Sequence, residues 1–150
     1  MGLDQTDQST QVNCEFPLLL ASLSDQYSCR FIHITTDCVY DGKLGQYNEN
    51  QIAKESNIYG LSKTLGKPSI ATVIQTSIIG EEINNKKFLL EWVKSQNGGT
   101  IVGYLNHLWN GVTCLQLAKI VQLMTANNYF GRVFDIFTHL IVSVNMNWLN

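Results

Sequence analysis

Long apolar runs are missing from this sequence. No stretch of its 150 residues approaches the ~20 needed to span a bilayer, and Met1 to Thr10 is polar and lacks the apolar core of a secretory signal. A soluble, cytoplasmic protein with no membrane partner is the expectation. An excess of one charge is missing too: Lys plus Arg total 10 against 12 for Asp plus Glu, a formal net charge of -2. That balance leaves no electrostatic footprint for nucleic acid, which is not an expected partner. Cysteine is scarce and unpatterned, since Cys14, Cys29, Cys38 and Cys114 form no C-x-x-C pair and are too few for a disulfide scaffold. Reduced and mostly buried thiols follow. His33, His107 and His139 stand far apart with no Cys or carboxylate at ligand spacing, so no metal is expected and His33 reads as a core histidine. Ser22, Ser24, Ser62 and Ser77 lack a G-x-S-x-G elbow, which disfavours hydrolase chemistry.

What remains is material for one core, with 45% hydrophobic and 15% charged residues. The first ten residues, MGLDQTDQST, read as a loose lead-in. From there the apolar pattern alternates between periods. Phe16, Leu19, Leu20 and Leu23 follow helical spacing, with Pro17 tolerable in a first turn. Arg30 to Thr36 is short and β-branched with apolar residues on both faces, as in a buried parallel strand. A turn-rich loop around Asp41-Gly42 leads to a helix opening near Asn57, which Pro68 ends early. Ile70 to Ile79 predicts a second buried strand closed by Gly80, and Phe88 to Gln96 a helix with Leu89, Trp92 and Val93 on one core face. Thr100 to Val102 predicts a brief strand, Trp109-Asn110-Gly111 a turn, Cys114, Leu117, Ala118, Val121 and Met124 a helical stripe, and Val133 to Phe137 a last strand. No repeat or linker interrupts this α/β pattern.

Tyr59 and Lys63 stand four apart in a helix pattern and so share one face. Six tyrosines and eight lysines in 150 residues produce about 0.3 such pairs by chance, so the pair alone decides nothing. Its setting carries more. Thr35-Thr36-Asp37 lies at the carboxyl end of the preceding strand, where open α/β sheets bind ligands. A hydroxyl there, followed after a loop by Tyr-x-x-x-Lys, suits reduction of a carbonyl by hydride. One group holds the carbonyl oxygen and another protonates it. Tyrosine, with an ordinary pKa of about 10, needs a nearby cation such as the Lys63 ammonium to exchange protons near neutrality.

The runs FIHITTDCVYDG, YGLSK, TSIIG and NHLWNGVTCLQLAK resemble, in order and spacing, the dTDP-4-dehydrorhamnose reductases among the extended short-chain dehydrogenase/reductases, over about Val12 to Asn128. The resemblance implies that Thr36 helps hold the substrate carbonyl. It implies Tyr59 as the acid/base, and Lys63 as the group that tunes it and binds the nicotinamide ribose. It further places Asp37, Val39 and Tyr40 beside the sugar and Thr76 and Ser77 near the nicotinamide of NADP or NAD.

Two departures within the match are Gln75, where relatives tend to carry Arg, and Gly66-Lys67-Pro68, where they more often continue the helix with an acidic residue. A larger departure is that none of the eleven glycines forms the G-x-x-G-x-x-G turn that holds a cofactor pyrophosphate at a helix N-terminus. The expected fold is therefore α/β, a partial Rossmann-like domain, doubly wound and mostly parallel, lacking its first βαβ units and cut at both ends. Residues 12–80 would hold the sheet with the catalytic groups, and 81–150 the rest of the sheet and part of the substrate region. The expected function is the catalytic segment of an NAD(P)-dependent reductase of a nucleotide-linked 4-keto-6-deoxy sugar. The alternatives are an epimerase or dehydratase of the same superfamily, or a non-catalytic remnant or interaction module. Exposed sheet edges predict oligomerisation, with a homo-oligomer as one form, or poor solubility.

Overall fold

The computed structural model describes residues 5–43, 47–48, 50–54, 57–100, 108–109, 111–131, 133–135 and 142–143. Contacts divide it into two units, Met1–Thr76 with Gln122–Ile136, and Ser77–Val121 with Phe137–Asn150.

The first unit opens with α1 (Gln5–Thr10), a π-helical turn (Gln11–Glu15) and α2 (Phe16–Gln26). The polar start is thus helical from Gln5, not a loose lead-in. Pro17 accounts for the wide turn before α2. Its ring has no N–H for the Asn13 carbonyl and would press on that oxygen, and the Phe16 N–H instead reaches back to Gln11. Asn13 meets α3 (Ile58–Leu65) through Nδ2, which donates to Ser62 Oγ at 3.1 Å. A Cβ on Gly66, just past α3, would collide with the Asn13 carbonyl. Small residues therefore bring these helices together.

That close packing reverses the face expected for α2. Pro17 and Ala21 are its buried residues, whereas Phe16, Leu19 and Leu23 are exposed, Phe16 by 55%. Helical periodicity located an apolar stripe correctly but could not say which face a neighbour covers. Pro68 does follow the end of α3, whose C-cap is Gly66.

The sheet of this unit is β1 (Ile32–Thr35), β2 (Thr72–Gln75) and β6 (Val133–Asp135), all parallel in the order β1-β2-β6. Its centre, β2, is buried at every residue, as a strand covered on both faces must be. β1 departs from the doubly buried reading of its sequence: His33 and Thr35 are buried but Ile34 is 46% exposed. A core of Val73, Ile74 and Ala71 runs along β2.

In the second unit β3 (Ile78–Ile79) pairs in parallel with β5 (Val112–Thr113), and β4 (Leu108–Trp109) pairs antiparallel with β7 (Val142–Ser143). The single strand expected over Ile70 to Ile79 is two. It breaks at Thr76-Ser77, where the Thr76 N–H goes to the Thr35 carbonyl at 3.2 Å and the Ser77 carbonyl accepts from Val112 N–H at 2.9 Å. α4 (Leu89–Ser95) leaves Leu89 and Trp92 exposed, against the expectation that they face a core. α5 (Cys114–Ala126) forms as expected and buries Leu117 and Met124 from its stripe. Ile101 and Val102, Asn110, His107, His139, and Ile136 and Phe137 lie outside the described residues.

All four cysteines are free, but Cys29, Cys38 and Cys114 are exposed and Cys14 is half-buried, correcting the expectation of buried thiols. Cys29 follows the turn after α2, Cys38 lies in a turn and Cys114 opens a helix, all surface positions. Among the described residues no helix is long and apolar enough to cross a membrane.

Candidate active site

The first unit assembles most of the expected site residues around the carboxyl end of β1. Thr36 follows the strand directly, and its Oγ1 accepts the Cys38 N–H at 3.1 Å, closing a hydroxyl-capped turn. The Tyr40 N–H continues that turn to the Asp37 carbonyl at 3.1 Å. Asp37 is half-buried, while Val39 and Tyr40 are buried. Val39 presents no side-chain surface to a ligand, because it packs inside the turn and its carbonyl accepts Lys54 N–H at 3.1 Å.

The chain then enters α3 through Asn57, whose Oδ1 accepts the Gly60 N–H at 2.8 Å and satisfies one of the donors left over at the helix start. This cap fixes where the first turn begins, and hence where Tyr59 points. Lys63 follows one turn later. Its ammonium stands 5.8 Å from the centroid of the Tyr59 ring, within cation–π range. Tyr59 is 48% exposed, so its phenol is open to a ligand, and Lys63 is half-buried beside it.

Behind this pair lies His33 on β1. Burial first, and the charge of Lys63 second, hold its imidazole below the ordinary histidine pKa. A neutral His33 leaves Lys63 without a competing positive charge beneath it. His33 Nε2 and Thr35 Oγ1, two residues apart on the buried face of β1, have no hydrogen-bond partner among the described residues.

Thr76 and Ser77, the residues expected near a nicotinamide, fall one in each unit. Thr76 is buried. In the second unit the Ser77 hydroxyl accepts the Trp109 indole N–H at 2.8 Å. A Cβ on Gly111 would strike both the Ser77 carbonyl and the Trp109 ring, so glycine is required for that close approach.

The two departures flagged in the sequence meet in space. Lys67 Nζ donates to Gln75 Oε1 at 2.6 Å, and Gln75 Nε2 donates to Tyr40 Oη at 2.9 Å. In the sequence Gln75 and Lys67 are separate departures, because no local signal joins residues eight apart across a strand start. Asn57, by contrast, was findable as a polar residue directly before an apolar helical pattern.

A cleft of about 370 Å³ lies elsewhere, lined by Arg30, Phe31, Ala71, Thr72 and Gly131 among others. These residues stand at the amino ends of β1, β2 and β6, the wrong end for a ligand site in an open parallel sheet. No group of three His, Cys, Asp or Glu able to hold a metal exists among the described residues.

The parallel three-stranded sheet with its flanking helices defines a Rossmann-like α/β domain. The family model described as RmlD substrate binding domain matches residues 4–89. The chain belongs to that family. It is 32% identical over 76 residues to a dTDP-4-dehydrorhamnose reductase of Aggregatibacter actinomycetemcomitans, a match covering 50% of this chain and 26% of that one. Its fold is similar to a dTDP-4-dehydrorhamnose reductase of Clostridium acetobutylicum, with a TM-score of 0.77, 20% identity, and coverage of 93% of this chain and 51% of that one. It is also similar to the Bacillus anthracis dTDP-4-dehydrorhamnose reductase solved in complex with NADP, with a TM-score of 0.71, 20% identity, and coverage of 89% and 50%. The chain thus spans about a quarter of the curated relative and about half of each solved one.

Proposed function

We propose that the chain is the catalytic segment of an NAD(P)-dependent reductase acting on a nucleotide-linked 4-keto-6-deoxy sugar in the cytoplasm. The observation that carries this reading is the Tyr59–Lys63 pair, with the ammonium 5.8 Å from the ring and the phenol half exposed, on the helix that follows the Thr36 turn. In this role Thr36 hydrogen-bonds the ketone oxygen and Tyr59 Oη donates the proton to it. Lys63, its ammonium 5.8 Å from the Tyr59 ring, stands beside the phenol and binds the nicotinamide ribose. Asp37 offers a carboxylate to sugar hydroxyls, while Val39 and Tyr40 shape the loop from inside. Thr76 and Ser77 belong to the nicotinamide side.

The residues present fit part of a nicotinamide cofactor. Tyr59 and Lys63 suit the ribose and the reacting carbonyl. Among the described residues the start of α3 is capped by Asn57 and the Lys87 and Phe88 N–H groups before α4 go to Glu82, and the sequence holds no G-x-x-G-x-x-G. When bound, the cofactor supplies the hydride.

The test is incubation of a polypeptide joining this segment to a glycine-rich cofactor loop with NADPH and dTDP-4-keto-6-deoxyglucose. NADPH oxidation with formation of the 4-hydroxy sugar is expected. An isomerised or dehydrated sugar without net oxidation would assign the segment to an epimerase or dehydratase instead. The missing glycine-rich turn favours one other reading, a non-catalytic module that associates through its apolar faces or with a second copy. Measurable NADPH affinity of the 150-residue chain alone would contradict that module.

A further inference from the structure

Gln75 ends a strand buried on both faces and is itself only 1% exposed. A carboxamide in such a place costs stability unless it is hydrogen-bonded. Its bonds also have a fixed direction. The Lys67 ammonium only donates, so the amide oxygen must face it, at 2.6 Å. The amide NH2 is thereby turned to Tyr40 Oη, at 2.9 Å. Tyr40 receives that bond and sends its own hydrogen onward to the Asn48 carbonyl, at 3.3 Å. The chain of donors runs one way, from Lys67 through Gln75 and Tyr40 to Asn48.

What this chain holds is the loop between β1 and α3. The Asn48 carbonyl also accepts the Gln51 N–H at 3.0 Å, and the neighbouring Val39 carbonyl accepts the Lys54 N–H. The Tyr40 ring stacks on Tyr47 with centroids 4.4 Å apart and planes 8° from parallel, and Tyr47 Oη donates to Asp41 Oδ1 at 2.6 Å. That bond, followed by the Lys43 N–H, holds Asp41 below the ordinary carboxylate pKa. The anchor is also level with the site, because Gln75 pairs in register with Thr35, the residue before Thr36.

We infer that Gln75 is a positioning residue for the sugar: oriented by Lys67, it holds Tyr40 and through it the loop that receives the nucleotide sugar. The loop-holding part stands on the geometry alone; the sugar part rests on the proposed reductase function. Gln75 touches no reacting atom, so it governs how well the sugar is received and leaves proton transfer to Tyr59.

The test is Gln75→Glu, which keeps the volume and the bond from Lys67 but cannot donate to Tyr40. The Tyr40 hydrogen then turns to the carboxylate and releases Asn48. Amide hydrogen exchange at Gln51 and Lys54 should quicken about tenfold while exchange in β2 is unchanged, the protection of roughly one hydrogen bond being lost. Tyr40→Phe cuts the same link from the other side, and the double variant should exchange no faster than either single one. Should Gln75→Glu fail to fold, Tyr40→Phe still reads the link. Unchanged exchange at Gln51 and Lys54 in the folded variants overturns the loop-holding role. In the cofactor-complemented reductase, Gln75→Glu should raise KM for the nucleotide sugar about five- to tenfold and move kcat by less than about twofold. A fall in kcat at constant KM overturns the positioning role. Absence of turnover in the unmodified protein fails the reductase reading and leaves the exchange result standing.

Discussion

β1 and β2 are neighbours in one parallel sheet, matched residue for residue from Ile32 with Thr72 to Thr35 with Gln75, yet they do opposite work. β2 is buried throughout, and its polar residues are bonded: Thr72 Oγ1 accepts the Gly131 N–H at 2.8 Å, and Gln75 lies between Lys67 and Tyr40. β1 is exposed at Ile34 and carries two buried polar groups with no partner among the described residues. It also leads straight into Thr36. The difference separates an anchoring strand, whose Thr72 and Gln75 side chains are bonded, from a strand leading into Thr36 that carries two buried side-chain groups without a partner among the described residues.

The contrast is sharpest in the apolar residues. Ile74→Ala on β2, at a side chain with no exposed surface, should lower unfolding free energy by about 3 kcal/mol, as large-to-small core changes do. Ile34→Ala on β1 should cost less than about 1 kcal/mol because half the side chain is already in water. Equal costs in urea titration would erase the distinction between the strands. The threonines give a smaller, matched test. Thr72→Val strands the Gly131 N–H and should cost about 1–2 kcal/mol, whereas Thr35→Val removes a hydroxyl with no partner among the described residues and should be neutral or stabilising. A destabilised Thr35→Val would show that the hydroxyl is satisfied after all.

The smallest effect belongs to pH. His33 titrates below its ordinary value of 6.5 in the fold, so the unfolded chain binds its proton first as pH falls. The stability it contributes is complete above 6.5 and is lost as pH drops from there through the lowered folded value. Thermal melts of His33→Leu should lack that part of the acid-side decline. An unchanged acid-side slope would mean that His33 is as readily protonated in the fold as out of it.

The positions of β1 and α3 were legible in the sequence, because their signals are local. Thr36 after a β-branched run, Tyr-x-x-x-Lys four apart, and Pro68 after an apolar helix each act within one or two turns of chain. The helix at Cys114 to Ala126 was legible for the same reason. The anchoring side was not. Gln75 gains its role from Lys67 and from Tyr40, 35 positions away, which only the fold brings together. The burial of α2 on Pro17 and Ala21 was hidden too, since its apolar stripe is larger than the face that small residues let pack. The N-terminal helix escaped notice because its polar residues show no apolar period.

The central claim is that Tyr59, with the Lys63 ammonium 5.8 Å from its ring, protonates a sugar ketone. The direct measurement is kcat for NADPH-dependent reduction of dTDP-4-keto-6-deoxyglucose by the cofactor-complemented segment and its Tyr59→Phe variant. Loss of a positioned general acid should lower kcat by roughly 10²- to 10⁴-fold with the sugar still bound. A Tyr59→Phe variant that reduces the sugar at the rate of the unmodified protein would contradict the account.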